Sequence, residues 1–222
     1  MRPEDLSSPF FSHLPRWGLT SKIRLFYSAE TKAELLGYDP YEELRESLPK
    51  RFADWDAFAQ AQYLESSILL PGYILSSQGD RMAMGHSVEG RFPFLDHRVV
   101  EFAGRLPSRL KMKVLNEKYV LKRAAGDLIP PAVTKRPKQP YRAPEGASLL
   151  GDAEGGGRPE WVDELLSLDR VKADGLFNPA AVDKLLRKFE RGQAIGIKDN
   201  MALVGIASAQ VIMDRFINGS WS

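Results

Sequence analysis

The sequence contains no cysteine among its 222 residues and only three histidines, His13, His86 and His97. The lack of cysteine excludes disulfide bonds, thiolate-ligated zinc or iron–sulfur centres, and a thiol nucleophile. So few histidines leave little from which to build a histidine metal site. We therefore expect no metal centre made by this chain alone.

Long apolar runs are also lacking. The longest stretches without a charged residue, 66–79 and 200–213, have 14 residues each, whereas a membrane-spanning helix needs about 20. The amino terminus has no apolar run behind it and does not resemble a signal peptide. These features predict a cytoplasmic protein without a membrane partner.

The common catalytic and phosphate-binding signatures are missing as well. The sequence has no GxxxxGK[ST] loop, no GxGxxG after a strand, no HExxH, no EF-hand loop and no nucleophile elbow. What remains is a metal-free binding module, or one part of an enzyme whose other parts lie elsewhere.

What is present is a globular composition with helical patterning. Hydrophobic residues make up 43% of the chain and charged residues 27%, enough for a packed core in about one domain. Alternating strand patterns are scarce, and 110–114 is the one modest candidate. The chain is therefore predicted to be mainly α.

Several helix boundaries follow from capping and breaking residues. Asp39 is expected to open a helix at Pro40, Asp54 to cap the next helix, and Pro71 with Gly72 to end it. Further helices are predicted over about 73–85, 97–106, 117–127, 179–189 and 199–217.

Apolar spacing predicts which helix faces are buried. Val99, Phe102 and Leu106 are expected to point inward after an Asp96 cap, with 92–95 as a core anchor. The same spacing predicts an inward face of the helix opened by Asn178, made of Val182, Leu185, Leu186 and Phe189. The last helix is apolar nearly all round, which is typical of a buried helix.

Composition also suggests a division of the chain. Residues 1–145 are predicted to form a helical core, 146–160 a flexible glycine-rich loop, and 161–222 C-terminal helices that pack on the same core.

Charge is concentrated in one window. Residues 111–142 contain nine basic side chains and two acidic ones, so this window carries +7 and the rest of the chain −5. A basic patch on a slightly acidic protein indicates a local anionic ligand.

Three ordered segments carry a family resemblance. Residues 80–103 read DRMAMGHSVEGRFPFLDHRVVEFA, 117–124 read EKYVLKRA, and 136–141 read RPKQPY. They resemble the DRxSMAxxxExRxPFLDxxxxEFA, GKxxLRxA and RxKxxF segments of the asparagine synthetase family, C-terminal part of the synthetase domain. The resemblance covers roughly 60–145.

The resemblance implies a fold and a reaction. The chain would be the helical C-terminal portion of an α/β, PP-loop ATPase-like synthetase domain whose nucleotide-binding sheet is mostly missing. Such enzymes use ATP to adenylate the side chain of aspartate, and ammonia released from glutamine then gives asparagine. Related members close a β-lactam ring instead, so another carboxylate substrate stays open.

The sequence also departs from the family pattern. It lacks the SGGxDS nucleotide loop and the SGxGxDE segment. With Arg2 at the second position and no cysteine, it is expected to contain no glutaminase. We expect a truncated or split product that is inactive alone. Its partners would be ATP, aspartate or a similar carboxylate, and a separate glutaminase and nucleotide-loop chain or further copies of itself. Magnesium would be held by ATP phosphates and residues outside this chain.

The motifs point to particular residues. Lys138, between Pro137 and Pro140, is the first catalytic candidate, because a fixed ammonium stabilises charge that develops on phosphate oxygens. Glu89 is the second, as a group for the proton lost by the attacking amine.

Binding candidates surround these two. Arg136 suits phosphate oxygens, and Lys118 lies one helical turn before Lys122. Glu89 and Arg91 are expected either to pair or to line the nucleotide cleft. Asp80 and Arg81 are assigned to the same polar cluster, and all of these are candidates for ATP or substrate binding.

Two other functions remain open. The basic window 111–142 suits a helical nucleic-acid-binding module, although Tyr119 and Tyr141 are its only aromatic residues and its prolines disfavour a long recognition helix. A non-catalytic scaffold remnant is the other.

Overall fold

The computed structural model describes residues 7–139, 145–151, 158–193 and 196–219, and these are mainly helical, as predicted. The helices are α1 (Leu14–Thr20), α2 (Ala29–Glu34), α3 (Pro40–Ser47), α4 (Ala57–Leu64), α5 (Arg81–Gly85), α6 (His97–Arg105), α7 (Ser108–Lys111), α8 (Tyr119–Ala124), α9 (Pro131–Thr134), α10 (Glu145–Leu150), α11 (Glu160–Leu165), α12 (Leu168–Asp174), α13 (Pro179–Glu190) and α14 (Ile197–Ile212). Shorter 3₁₀ segments cover Ser21–Phe26, Phe52–Asp54 and Pro93–Leu95, and π-helical segments cover Glu65–Asp80 and Met213–Ile217.

The chain divides into two compact units. The first, here the terminal unit, contains His13–Ser47 and the described residues from 145 onward. The second, the central unit, contains residues 7–12 and Leu48–Gln139. The division at 145 and 160 that composition suggested stays a prediction, and most of its glycine-rich loop lies outside the described residues.

The terminal unit has a well-packed core built from α11 to α14. Asn178 caps α13 by accepting a hydrogen bond from the backbone of Ala181, as its sequence pattern predicts. The predicted inward side chains of α13 are buried or packed against the core. The buried positions of this core come from the four helices and the segments that join them: Val162, Leu166, Val171, Phe177, Val182, Leu185, Leu186, Ala202, Leu203, Ile206 and Ala207.

A polar network ties the end of this core together. Arg170 donates to Asp174 and to Asp214, each at 2.9 Å, and Gln210 donates to the same Asp174 oxygen at 2.9 Å. The side chain of Asp174 is only 3% exposed. Because a buried carboxylate is costly without partners, this network fixes α12 against the end of α14.

The central unit buries few large side chains. Among its described residues the fully buried hydrophobic ones are Phe10, Phe52 and Leu64. Phe52 also packs edge-on against Tyr63, with ring centroids 5.7 Å apart. Asp56 caps α4, and its carboxylate accepts hydrogen bonds from the backbone N–H groups of Phe58 and Ala59. The prediction that Asp54 caps this helix is therefore wrong, because Asp54 pairs with Arg51 instead.

The expected break at Pro71 does not occur. The backbone stays helical from α4 through Glu65–Asp80 into α5, and the middle part of this continuous helix is π-helical. A proline lacks an N–H and clashes with the carbonyl four residues before it, so the wider i→i−5 winding accommodates the ring without ending the helix.

The apolar face of α6 is exposed, contrary to the prediction. Asp96 caps the helix as expected, but Val99 is 41% and Phe102 66% exposed. The 92–95 run is not a core anchor either, since Phe94 is 70% exposed. The pattern identified a face suited to burial, and the described residues do not cover it.

The β-structure of the described residues is one small hairpin and one isolated antiparallel bridge between Tyr27 and Phe177. Strands β1 (Met112–Lys113) and β2 (Asn116–Glu117) pair antiparallel, with Met112 opposite Glu117. Strand β1 lies within 110–114, the one segment with a modest strand signal, whereas β2 lies just after it. In the described part of the chain there is thus no parallel nucleotide-binding sheet, and no helix there is long and apolar enough to cross a membrane.

Candidate functional site

A cavity of about 860 Å³ lies within the central unit, and we refer to it as the basic cavity. The hairpin, α8, α9 and the segment after α9 supply its walls. The lining residues are Leu115, Glu117, Lys118, Leu121, Lys122, Ile129, Ala132, Val133, Thr134, Lys135, Arg136, Pro137, Lys138 and Gln139.

The charge of the basic cavity is strongly positive. Its lining residues include five basic side chains and one carboxylate, that of Glu117. Positive groups that converge on one concave surface raise the local concentration of anions and suit phosphate or carboxylate ligands. The structure therefore brings five basic residues of the window 111–142 together on one concave surface.

The turn of the hairpin and the start of α8 place two of these lysines. Lys118 immediately precedes α8 with a left-handed backbone, φ 56°, and the hairpin residue Val114 is also left-handed at φ 57°. The ammonium of Lys122 donates to Oδ1 of Asn116 at 3.0 Å. Lys118 is thus the residue before the helix, not part of one continuous helical face with Lys122.

The segment after α9 supplies the remaining cations. Pro131 begins α9 and Thr134 ends it, with Lys135 as the C-cap. Arg136 and Lys138 follow in irregular, exposed chain. Pro137 restricts the backbone between them. Pro140, the second of the two prolines that flank Lys138 in the sequence, lies outside the described residues.

Three of the predicted residues, Lys118, Arg136 and Lys138, therefore meet in one cavity. Lys122 and Lys135 belong to it as well, although the sequence analysis assigned Lys135 no binding role. The signal that could have identified them is the charge window itself, since both lie within 111–142.

The other predicted residues do not line this cavity. Glu89 and Arg91 form an ion pair at 3.1 Å with side chains 69% and 82% exposed, the pairing arrangement of the two that were expected. Asp80 directly precedes α5 and Arg81 begins it, and both are exposed. Their roles stay predictions.

Tyr119, next to Lys118, also lies close to two basic side chains. Arg123 donates to the hydroxyl of Tyr119 at 3.3 Å, and the Lys113 ammonium lies 5.3 Å from the centre of its ring. The hydrogen bond from Arg123 and the charge of Lys113 lower the pKa of Tyr119. The positive potential thus extends beyond the cavity lining.

The residues do not fit a magnesium site on their own. Within the described ranges no three His, Asp or Glu side chains come together as metal ligands. Glu117 is the single carboxylate of the basic cavity, whereas Mg²⁺ prefers several oxygen ligands. The lining of the basic cavity is therefore dominated by positively charged side chains.

Comparison with known protein families shows to which family this helical chain belongs. Residues 5–214 match the family model described as Asparagine synthase. The chain belongs to the asparagine synthase family, and its mainly α architecture is that of a helical portion of the family's domain.

Individual relatives agree with this assignment. The chain is 31% identical over 153 residues to asparagine synthetase [glutamine-hydrolyzing] 1 of Bacillus subtilis, covering 68% of this chain and 23% of that protein. It is 33% identical over 124 residues to a putative asparagine synthetase of Mycobacterium bovis, covering 54% and 19%.

A fungal protein covers more of the chain. The amidase chyE of Penicillium rubens is 28% identical over 180 residues, which is 78% of this chain and 25% of that protein. The chain therefore spans about a quarter of the length of these curated relatives. No solved structure matches it.

Proposed function

We propose that this chain supplies the helical wall of the active site in an ATP-dependent ligase that forms amides. The observation that carries the proposal is the convergence of Lys118, Arg136 and Lys138 on one positively charged cavity. Two separate family-like segments supply these residues. A polyphosphate is the ligand that such a set of donors suits best.

The reaction proposed is the two-step synthesis of asparagine. An oxygen of the aspartate side-chain carboxylate attacks the α-phosphorus of ATP, and the bond to pyrophosphate breaks. Ammonia then attacks the acyl carbon, AMP leaves with the anhydride oxygen, and the amine nitrogen loses a proton. The products are asparagine, AMP and pyrophosphate.

The residues of the basic cavity act on the first step. Negative charge grows on the leaving pyrophosphate in the transition state, so Lys138 lowers the barrier by stabilising that charge more than the bound ATP. Arg136 has a planar guanidinium that donates to two phosphate oxygens at once. Lys118 adds a third donor and helps to orient the polyphosphate.

Glu89 keeps its proposed role in the second step. It would accept the proton lost by the amine, and Arg91, its partner at 3.1 Å, would help to position the carboxylate. Asp80 and Arg81 would support the same polar surface. This part rests on the family-like segment that contains all four residues.

The rest of the active site would come from a partner. The exposed apolar side chains of α6 and of 92–95 suit contact with a nucleotide-binding sheet. That part would also carry the magnesium ligands, and a glutaminase would supply ammonia. We propose that the reaction occurs in the cytoplasm, where ATP is available.

Pyrophosphate binding tests the proposal directly. We expect titration calorimetry to detect pyrophosphate binding to the isolated chain, and Lys138→Ala to weaken it about tenfold. Lys50→Ala is the matched control, because Lys50 is an exposed loop lysine in the same unit but outside the cavity lining. Equal loss in both variants would contradict the assigned site.

An exchange assay tests the need for a partner. The isolated chain is expected to give no ATP–pyrophosphate exchange with aspartate, and exchange is expected to appear when a nucleotide-binding part is added. Salt-sensitive binding of mixed-sequence DNA or RNA without any pyrophosphate binding would favour the nucleic-acid function instead.

A further inference from the structure

We propose that Asn116 is a positioning residue, and that it makes Lys122 a further binding group for the pyrophosphate part of ATP. The reaction steps above use neither side chain. The inference rests on the proposed function and deepens it, because Lys122 lines the same basic cavity. It starts from a difference between Lys122 and the other basic residues of that lining.

Lys122 is the basic residue of the lining that the protein itself holds in place. Its ammonium donates a hydrogen bond to Oδ1 of Asn116 at 3.0 Å. Its backbone N–H donates to the carbonyl of Lys118 at 2.9 Å, where α8 begins. Within the described ranges, no side-chain hydrogen bond or ion pair holds the other four basic groups of the lining. Lys122 therefore has the most restricted ammonium of the five.

The hairpin places Asn116 outside the cavity. Asn116 lies on β2, opposite Lys113 of β1, and it is not one of the described residues that line the cavity. Lys122 lies on α8, is partly buried and does line the cavity. The hydrogen bond thus joins the strand to the helix, and Asn116 acts on a bound anion through Lys122.

Restricting a lysine before the ligand arrives favours binding. Immobilising one flexible side chain on binding costs roughly twofold to tenfold in affinity. Because Asn116 already restricts the ammonium of Lys122 in the folded protein, part of this cost no longer opposes binding. The other lining cations lose their full freedom when they contact the ligand.

The chemical type of the partner also matters. The amide oxygen of Asn116 accepts a hydrogen bond without a charge, so the positive charge of Lys122 stays available to an anion. An ammonium has three donors, and two remain for phosphate oxygens. Lys188 in the terminal unit shows the other arrangement, because the carboxylate of Asp199 pairs with it and offsets its charge.

Titration of pyrophosphate into the intact chain, followed by calorimetry, tests the inference. Lys122→Ala should weaken binding about tenfold, and Asn116→Ala about threefold. Because Asn116 acts through Lys122, the double variant should bind as weakly as Lys122→Ala and no more weakly. Asn116→Asp keeps an acceptor but adds a negative charge beside the ammonium. It should weaken binding at least as much as Asn116→Ala, yet be more stable than that variant in urea unfolding.

Gln62→Ala is the matched control. Gln62 accepts a hydrogen bond from the ammonium of Lys111 at 3.1 Å, the same type of bond in the same unit. Neither residue is among the described residues that line the cavity, so affinity should stay unchanged.

Three results would overturn the inference: losses that simply add in the double variant, parent-like binding by Asn116→Asp, or equal losses in Gln62→Ala and Asn116→Ala. A merely structural hydrogen bond would give the second result, because a carboxylate joins strand and helix as well as an amide does. No pyrophosphate binding by the parent chain, or equal binding by the parent and Lys138→Ala, would instead count against the proposed function.

Discussion

Ser108 donates its hydroxyl hydrogen to Asp56 at 2.8 Å, although 52 positions separate them in the chain. The same carboxylate accepts from the backbone N–H groups of Phe58 and Ala59, each at 3.0 Å. The hydrogen bond from Ala59, followed by that from Ser108, lowers the pKa of Asp56. One side chain thus starts α4 and ties it to α7.

Replacing this cap should destabilise the central unit. Asp56→Ala is expected to lower the free energy of unfolding by about 1 kcal/mol at pH 7, the usual cost of a lost cap. Urea unfolding measures the change. Asp54→Ala is the control, and its exposed pair with Arg51 predicts an effect well below that value.

The same carboxylate gives a pH dependence of known sign. Because its folded pKa is lowered, Asp56 stabilises the fold above its unfolded pKa, about 3.9, and that contribution disappears as the pH falls through the folded value. The difference between the parent chain and Asp56→Ala should therefore shrink below about pH 4. A difference that grows on acidification would contradict this assignment.

The network around Arg170 predicts a larger loss in the terminal unit. Arg170→Ala removes the charged partner of Asp174, whose side chain is 3% exposed. We expect a loss of roughly 3 kcal/mol, typical when one member of a buried ion pair is removed. Thermal unfolding checks this, with Arg51→Ala, from an exposed pair, changing stability by less than about 1 kcal/mol.

Replacement of Lys118 by glycine or alanine should separate its effect on stability from its effect on pyrophosphate binding. Its left-handed backbone, φ 56°, costs a residue with a side chain about 1 kcal/mol or more, and glycine avoids this. Lys118→Gly is therefore expected to be more stable than Lys118→Ala by about that amount in urea unfolding. Both variants should bind pyrophosphate several-fold more weakly. Equal stability of the two would show that the backbone conformation is not strained.

Exposed aromatic residues of the central unit predict self-association. Phe94 and Phe102 are 70% and 66% exposed, and large exposed apolar surfaces drive contact between molecules. Phe94→Ser with Phe102→Ser should lower the apparent mass in light scattering across a concentration series. A parent chain that stays monomeric at all concentrations would contradict this prediction.

The sequence predicted much of the terminal unit because local and tertiary preferences agree there. Asn178 caps α13, and the apolar spacing after it matches the buried face. In the central unit the same rule failed at Val99 and Phe102, since periodicity identifies a face suited to burial and not what covers it. The rule also failed at Pro71, because a break signal assumes α-helical winding and the chain adopts π-helical winding instead.

The candidate site was predictable in type and only partly in geometry. Charge density marked the window that supplies Lys118, Arg136 and Lys138, and the structure brings these three together. The pairing of Glu89 with Arg91 was one of two stated arrangements. Left-handed backbone at Lys118 has no sequence signal, because it depends on the hairpin turn before it.

The π-helical stretch Glu65–Asp80 has a consequence for Asp80, its last residue, and for Arg81, the next one. In a helix, each residue added or removed upstream turns everything downstream by about 100°. A change from wide to standard winding over these 16 residues would therefore rotate both side chains around the helix axis. The winding of this segment therefore determines the direction in which the side chains at the start of the 80–103 segment project around the helix axis. A single-residue insertion before Asp80 would change that direction while leaving the sequence of 80–103 unchanged.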